Sequence, residues 1–169
     1  MNEQIGGTYT DGAEELREKY LTFWTEGQLF GVPIAEVVQI VGMQRITALP
    51  DCPRYAKGII DLRGSIIPLV DVRLRLGKPE REYDERTCII VINVGERLFG
   101  LIVDEVDEVS TIPADRVSQP PRMGGDGTTP YLTGIARLGE DGQERIVLCV
   151  DATKILGEGE LDALFQAAQ

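Results

Sequence analysis

The feature that most limits what this chain can fold into is an internal repeat. Glu26-Gly27-Gln28-Leu29-Phe30-Gly31 returns as Gly95-Glu96-Arg97-Leu98-Phe99-Gly100, with Gly31 matching Gly100 at an offset of 69. Lys57-Gly58-Ile59-Ile60 returns as Thr133-Gly134-Ile135-Ala136 at an offset of 76, and Pro68-Leu69-Val70-Asp71 as Leu148-Cys149-Val150-Asp151 at an offset of 80. Three landmarks in constant order with slowly growing offsets mark a duplication. Each copy has about 65 residues, a size at which one core is marginal, so the pair is expected to share a hydrophobic seam. Closing strands into barrels would remove the exposed edges.

The repeated unit reads as β-structure. Phe23-Trp24-Thr25 and Gln28 to Pro33 flank Glu26-Gly27, a hairpin signal, and Pro33 marks a strand end. Ile46–Leu49 and Ile66–Val70 read as strands, Tyr55–Ile60 as a helical turn running into Gly58, and Arg73–Leu76 as a short helix stopped by Gly77. Pro79–Arg86 is a charged linker between the copies. Ile34, Val37, Val38 and Val41 fall at i, i+3, i+4 and i+7, which fits either ordinary core or a surface groove beside the seam for an apolar helix face. Residues 1–19, with five acids and two bases, read as a mobile tail, with a turn or two of helix over Ala13–Lys19. Residues 157–169 read as a docked amphipathic helix carrying Leu161, Leu164 and Phe165. Ser118–Pro130, rich in Pro and Gly, reads as an inserted loop; its Gly124-Gly125-Asp126-Gly127 tract has neither phosphate-loop spacing nor a following helix pattern.

Composition excludes much chemistry. The chain of 169 residues has no histidine, which removes the commonest general base and every Ser-His or Cys-His nucleophile system. Cys52, Cys88 and Cys149 are widely spaced and suggest neither a disulfide framework nor a thiolate metal site; Cys88 and Cys149 read as small buried hydrophobes. No metal and no cofactor is expected. A formal charge of −11 argues against non-specific nucleic-acid binding. No apolar run is long enough to span a bilayer, and the N-terminus lacks a signal-peptide pattern, so a cytosolic protein without membrane insertion is expected.

Two sets of charged residues deserve weighing. Asp104, Glu105, Asp107 and Glu108 sit among valines spaced by three, as exposed charge on an edge or turn would. Asp71 and Asp151 occupy equivalent repeat positions, which suits capping of the helix after each strand better than catalysis. Arg54, Lys57, Arg63, Arg73 and Arg75 outnumber the acids between residues 51 and 75 by two. Gly64 permits a tight turn that presents Arg63 at a rim, either to meet a partner's carboxylate or carbonyl, or to brace its own barrel.

At Leu62-Arg63-Gly64-Ser65-Ile66-Ile67-Pro68-Leu69-Val70-Asp71-Val72-Arg73, with Lys57-Gly58 before it, the chain resembles the CheW family of bacterial chemotaxis coupling proteins. The likeness also takes in the Phe30-Gly31 hairpin, the Val37–Ile40 segment and the second-half echo, over residues 20–156. It implies an all-β fold of two five-stranded SH3-like β-barrels around a shared hydrophobic interface, with short helices and a C-terminal helix. The first half would span about 20–78 and the second about 87–156, with terminal strands open to exchange. The implied role is that of a non-enzymatic adaptor, monomeric alone. It couples the histidine kinase CheA, through the kinase's regulatory domain, to the cytoplasmic tips of methyl-accepting chemoreceptors, and so is recruited to receptor arrays at the inner membrane. Carried over by position, Ile34, Gln39, Ile40, Arg63, Ile66, Cys88 and Phe99 would line or flank the receptor groove, and Gly58, Gly64, Gly100 and Gly134 would shape the barrel ends that meet the kinase. One departure stands out: the family segment usually reads Val-x-Glu-Ile, and here it is Val37-Val38-Gln39-Ile40. Gln39 can hydrogen-bond Arg63 but not neutralise it, so either Glu36 substitutes or Arg63 stays free for a partner. The competing readings are a small carboxylate-dependent hydrolase using Asp71 or Asp104, and an adaptor of the same fold in a non-flagellar pathway.

Overall fold

The computed structural model describes residues 17–120, 131–140 and 142–156, together with Ala163 and Gln166. Most of the N-terminal tail, the Gly-rich part of the inserted loop and nearly all of the expected C-terminal helix, with Leu161, Leu164 and Phe165, lie outside the described residues. The rest is predominantly β-structure in two sheets.

The first half contributes β1 (Lys19–Thr25), β2 (Gln28–Pro33), β3 (Val37–Gly42), β4 (Ala56–Leu62), β5 (Ser65–Asp71) and the short helix α1 (Val72–Arg75). The second half contributes β6 (Cys88–Val94), β7 (Arg97–Val103), β8 (Glu105–Thr111), β9 (Val117–Ser118), β10 (Leu132–Leu138), β11 (Arg145–Val150) and α2 (Ala152–Leu156). The two β-hairpins that carry the first repeat landmark close alike. Thr25 pairs with Gln28 across Glu26-Gly27, and Val94 with Arg97 across Gly95-Glu96. All four turn residues have positive φ, from 52° to 72°, as a two-residue hairpin turn matched to strand twist requires.

The halves then exchange these hairpins. One sheet has six strands in the order β8-β1-β2-β11-β10-β9, and the other five in the order β3-β6-β7-β5-β4. Hairpin β1-β2 of the first half therefore joins the second half's β11 in parallel, with Cys149 beside Gly31. Hairpin β6-β7 of the second half joins the first half's β5 in the same way, with Leu69 beside Gly100. The repeat offsets map one junction onto the other: Leu69 to Cys149 is 80 residues and Gly31 to Gly100 is 69. The bulges repeat too, at Ala56/Gly58 in β4 and Leu132/Gly134 in β10.

Period-two alternation divides the apolar residues among three cores. In β6, Ile89 and Val91 join Ile60, Ile67, Leu69 and Ile102 in the five-stranded sheet's own core. Ile90 and Ile92 face the other way, into a shared core with Leu21, Phe23, Phe30 and Val32 from the six-stranded sheet. Leu29, Ile112, Ala136, Val147 and Cys149 fill the six-stranded sheet's own interior. The seam expected from the small size of each half is this shared core.

Several local expectations change. Tyr55–Ile60 is not a helical turn but the entry to β4, where the Tyr55 carbonyl accepts from Asp71 N–H at 2.8 Å. Ile46–Leu49 makes only a single bridge, Thr47 to Ile59. The helical phase over Ile34–Val41 gives way to a 3-10 turn, Ile34–Glu36, followed by β3. Short apolar runs do not distinguish the two periods, and here pairing with β6 decides. The second-half sheet carries one strand more than expected, because the short β9 adds to β10.

Candidate functional site

Asp71 and Asp151 cap the short helices, as their repeat positions suggest. Asp71 Oδ1 accepts from Leu74 N–H at 3.3 Å and Asp151 Oδ1 from Thr153 N–H at 2.9 Å. Asp71 Oδ2 also accepts the Tyr83 hydroxyl at 2.7 Å; burial first, and then this carboxylate, push the Tyr83 phenol well above its usual range. The segment expected as a plain charged linker is thus fastened to β5.

Asp104 is fully used as well. Arg73, on α1, makes a two-pronged contact with it, Nε to Oδ1 and Nη2 to Oδ2, each at 2.8 Å, and also pairs with Glu26 on the β1-β2 turn. Glu26 N–H donates to Asp104 Oδ2 at 2.9 Å. Arg73 leaves the end of the five-stranded sheet, while Glu26 belongs to the six-stranded one, so this cluster fixes the two sheets in one register. On the edge strand β8, Asp107 accepts the Thr22 hydroxyl at 2.7 Å and pairs with Arg145 of β11, three strands away, so the six-stranded sheet is strongly curled. Burial raises the Asp107 carboxyl, but the Thr22 and Arg145 contacts outweigh it and hold the group below its usual range. The carboxylates that suggested a hydrolase are structural clamps.

The surface offers apolar groups instead. Val38 and Ile40 on the edge strand β3 are 50% and 43% exposed, and Ile66 at the start of β5 is 45% exposed. Gln39 and Cys88 are half-buried nearby, Cys88 pairing with Gly42 across β3-β6, and Ile34 packs against the shared core. Arg63 stands exposed on the two-residue β4-β5 turn with φ 53°, and among the described residues it forms no ion pair. Glu36 does not reach it: burial, and then Asp151, raise the Glu36 carboxyl, and its Oε2 is buried without a hydrogen-bond partner. Among the described residues, then, neither Glu36 nor any other acid neutralises Arg63.

The expected site residues fall into two groups on one sheet. Gln39, Ile40 and Cys88 lie on β3-β6, while Arg63 and Ile66 lie at the β4-β5 turn, with β7 between. Phe99 belongs to neither: it is 1% exposed, inside the shared core, and supports the sheet from below. Three of the four glycines are also internal. A Cβ on Gly58 would lie 2.1 Å from the Thr47 carbonyl oxygen, one on Gly100 2.6 Å from Leu69 Cδ2, and one on Gly134 2.4 Å from Val117 Cγ1. These positions hold glycine because neighbouring chain passes too close for a side chain. Only Gly64 faces open space.

A match to the CheW-like domain model runs over residues 19–160. The chain belongs to the CheW-like domain family. It is 33% identical over 148 residues to the chemotaxis protein CheW of Klebsiella aerogenes, covering 88% of this chain and 87% of that one. It is likewise 33% identical over 155 residues to CheW of Rhizobium meliloti, covering 91% and 94%. The fold is similar to the crystal structure of the scaffolding protein TtCheW from Thermoanaerobacter tengcongensis, with a TM-score of 0.74 and 29% identity over 85% of this chain and 95% of that one. CheW-like proteins are scaffolding adaptors of chemotaxis and not enzymes, which accords with carboxylates spent on clamps and caps and apolar groups left at the surface. No helix among the described residues is long and apolar enough to cross a membrane.

Reasoning from sequence named Arg73 only within a basic cluster, without its clamp on Asp104, and passed over Ile146. It also missed that the 69-residue offset continues past the hairpin: Val37-Val38-Gln39-Ile40 is matched by Val106-Asp107-Glu108-Val109. Ile40 pairs with Ile90 and Val109 with Leu21, so β3 and β8 occupy equivalent places in the two sheets.

Proposed function

We propose that this CheW-like chain couples a CheA-type histidine kinase to the cytoplasmic tips of chemoreceptors, so that receptor state controls the kinase at arrays on the inner membrane. The observation that carries this reading is the pairing, on a rigid body, of an exposed apolar edge with an Arg63 that forms no ion pair among the described residues. Ile40 and Ile66, with Val38, offer apolar area to a helical receptor tip, with Gln39, Ile34 and Cys88 beside them, and Arg63 supplies a guanidinium fork for a carboxylate or helix-end carbonyl. The kinase's regulatory domain is assigned the strand ends shaped by Gly58, Gly64, Gly100 and Gly134, with Gly64 as the contact and the other three as internal supports. The halves, about 20–78 and 87–156, act as one unit because their hairpins are exchanged and the Arg73 cluster joins them. Two partners held by one rigid body stand in fixed register, and control then follows from differential contact with receptor states.

The test is Arg63→Glu in receptor membranes with kinase. The expected result is loss of receptor-dependent kinase control with an unchanged circular dichroism spectrum and melting temperature. Full control by the variant overturns the role given to Arg63. Titrating labelled protein separately with a receptor-tip fragment and with the kinase regulatory domain should shift two different sets of amides; one common set contradicts the bridging arrangement.

A further inference from the structure

The duplication makes each charged corner of one half comparable with its counterpart in the other, and one corner lacks what satisfies its twin. At the end of β5, Asp71 accepts the Tyr83 hydroxyl at 2.7 Å, and Arg73 grips Asp104 through two contacts of 2.8 Å. Eighty residues on, at the end of β11, the counterparts of Asp71 and Arg73 are Asp151 and Thr153. The counterpart of Asp104, by the 69-residue offset, is Ala35, and the next residue is Glu36. This corner therefore brings Glu36 towards Asp151 with a threonine in place of the arginine.

Both carboxylates stand where the chain crosses between the sheets. β2 and β11 run parallel with Gly31 beside Cys149, so Asp151 ends level with Pro33, where the 3-10 turn Ile34–Glu36 begins. That turn carries the chain from the six-stranded sheet to β3. Glu36 is half-buried, and its Oε2 is fully covered without a hydrogen-bond partner. Burial, and then Asp151, disfavour its charged form. The elements packed there offer no countercharge. β1 and β6 pack on the turn. β1 presents Tyr20, whose phenol is held above its usual range by burial, Cys149 and Glu36, while Lys19 beside it points to the opposite face by alternation. From Ile89 to Val94, β6 carries no ionisable side chain, and its Cys88 pairs with Gly42 at the far end of β3. On β11 the Cys149 thiol is pushed up to about 11 by burial and so stays neutral. Lys154 on α2 is exposed and makes no ion pair among the described residues.

The turn is also able to give way. Pro33 before it has no N–H, no side chain caps its start, and its closing bond runs from Val37 N–H to the Ile34 carbonyl. β3 beyond it is an edge strand paired with β6, and its register slips between Val37 and Gln39. We propose that Glu36 is a proton-linked latch on β3: with its proton it packs the crossing closed beside Asp151, and without it the carboxylate turns out to water and frees the start of β3. Because the protonated form favours the closed crossing, the latch holds at low pH and releases as pH rises through the folded-state value. β3 carries Val38, Gln39 and Ile40, so release alters the edge assigned to receptors. The latch does not rest on that assignment, and the purified full-length chain alone tests it.

Carbon-detected NMR of the Glu36 carboxyl should give a titration midpoint above that of the same residue in the urea-unfolded chain. Asp151→Asn should bring the midpoint down, since it removes a like charge and keeps a capping oxygen. Amide hydrogen exchange over Val37–Ile40, corrected for its intrinsic pH dependence, should lose protection several-fold across the Glu36 midpoint. The equivalent amides Val106–Val109 of β8 should show no such step. Glu36→Gln keeps the shape and cannot ionise, so it should abolish the step and leave β3 protected at high pH. In Asp151→Asn the step should persist at a lower pH. A Glu36 midpoint at or below the unfolded value overturns the inference. So does β3 protection that is constant through the midpoint, a step shared equally with β8, or one that survives in Glu36→Gln.

Discussion

Arg73→Ala is the change that tests most directly how the two sheets are held together. The Arg73 side chain is 11% exposed, against 19% for Asp104 and 37% for Glu26. Its removal strips Asp104 of both 2.8 Å guanidinium contacts and leaves it the Glu26 amide and a distant Arg81 at 3.8 Å. Breaking a fully buried pair costs about 3–5 kcal/mol, and an exposed pair about 0–1 kcal/mol. With Asp104 mostly covered and Glu26 more than a third exposed, the expected loss is about 2–3 kcal/mol. For a domain of this size that corresponds to a fall in Tm of roughly 4–12 °C. Calorimetry and urea unfolding at pH 7 should agree on it, and the loss should shrink only modestly in high salt because the pair is sheltered. A double-mutant cycle with Asp104→Asn should give a coupling energy above about 1 kcal/mol, whereas independent sites would add within about 0.5 kcal/mol. A loss below about 0.5 kcal/mol, or strict additivity, would refute the view that this cluster joins the sheets.

Two further outcomes follow from the same geometry. Gly58→Ala and Gly100→Ala should destabilise strongly, by about 3 kcal/mol or more, because the added methyl meets the Thr47 carbonyl or the Leu69 and Ile89 side chains. Gly64→Ala, in open space but at φ 91°, should cost only about 1 kcal/mol and leave a folded protein for binding assays; equal losses at all three positions would contradict the packing account. Glu36→Gln should raise Tm at pH 7. Burial, then Asp151, raise the folded-state value of this carboxyl, so its protonated form favours folding, and that contribution is present at low pH and lost as pH rises through the raised value. The advantage of Gln should therefore fade on acidification towards the ordinary carboxylate range; a pH-independent difference would show that Glu36 acts by packing alone.

The duplication was readable because its landmarks are the positions where backbone geometry leaves least choice. Gly27 and Gly95 serve turns with positive φ, Gly58 and Gly134 lie at bulges passed closely by other chain, and Asp71 and Asp151 each cap a helix. Phe99 shows the limit of carrying a site over by position. Its landmark was found correctly, but alternation along β7 turns the ring into the shared core rather than towards a partner. Val38 was placed on the right segment with the wrong period, because Ile34, Val37, Val38 and Val41 suit a helix as well as a strand until β6 supplies pairing. Ile146 drew no notice since an isolated isoleucine in a strand pattern is ordinarily interior.

The order of residues alone thus determined a duplicated β-rich chain without histidine chemistry, too small in each half to stand apart, and its resemblance to a family of coupling proteins. Only the tertiary structure decided which hairpin joins which sheet, since exchange within or between halves satisfies the same local pattern and differs only in the shared core it builds. It likewise decided which charges are clamped and which remain open to partners. Arg73 and Arg63 are ten residues apart on similar-looking sequence, yet one meets Asp104 and Glu26 from distant chain while the other ends a hairpin facing solvent. Partners of that kind are brought near by folding, and no local pattern encodes the distance.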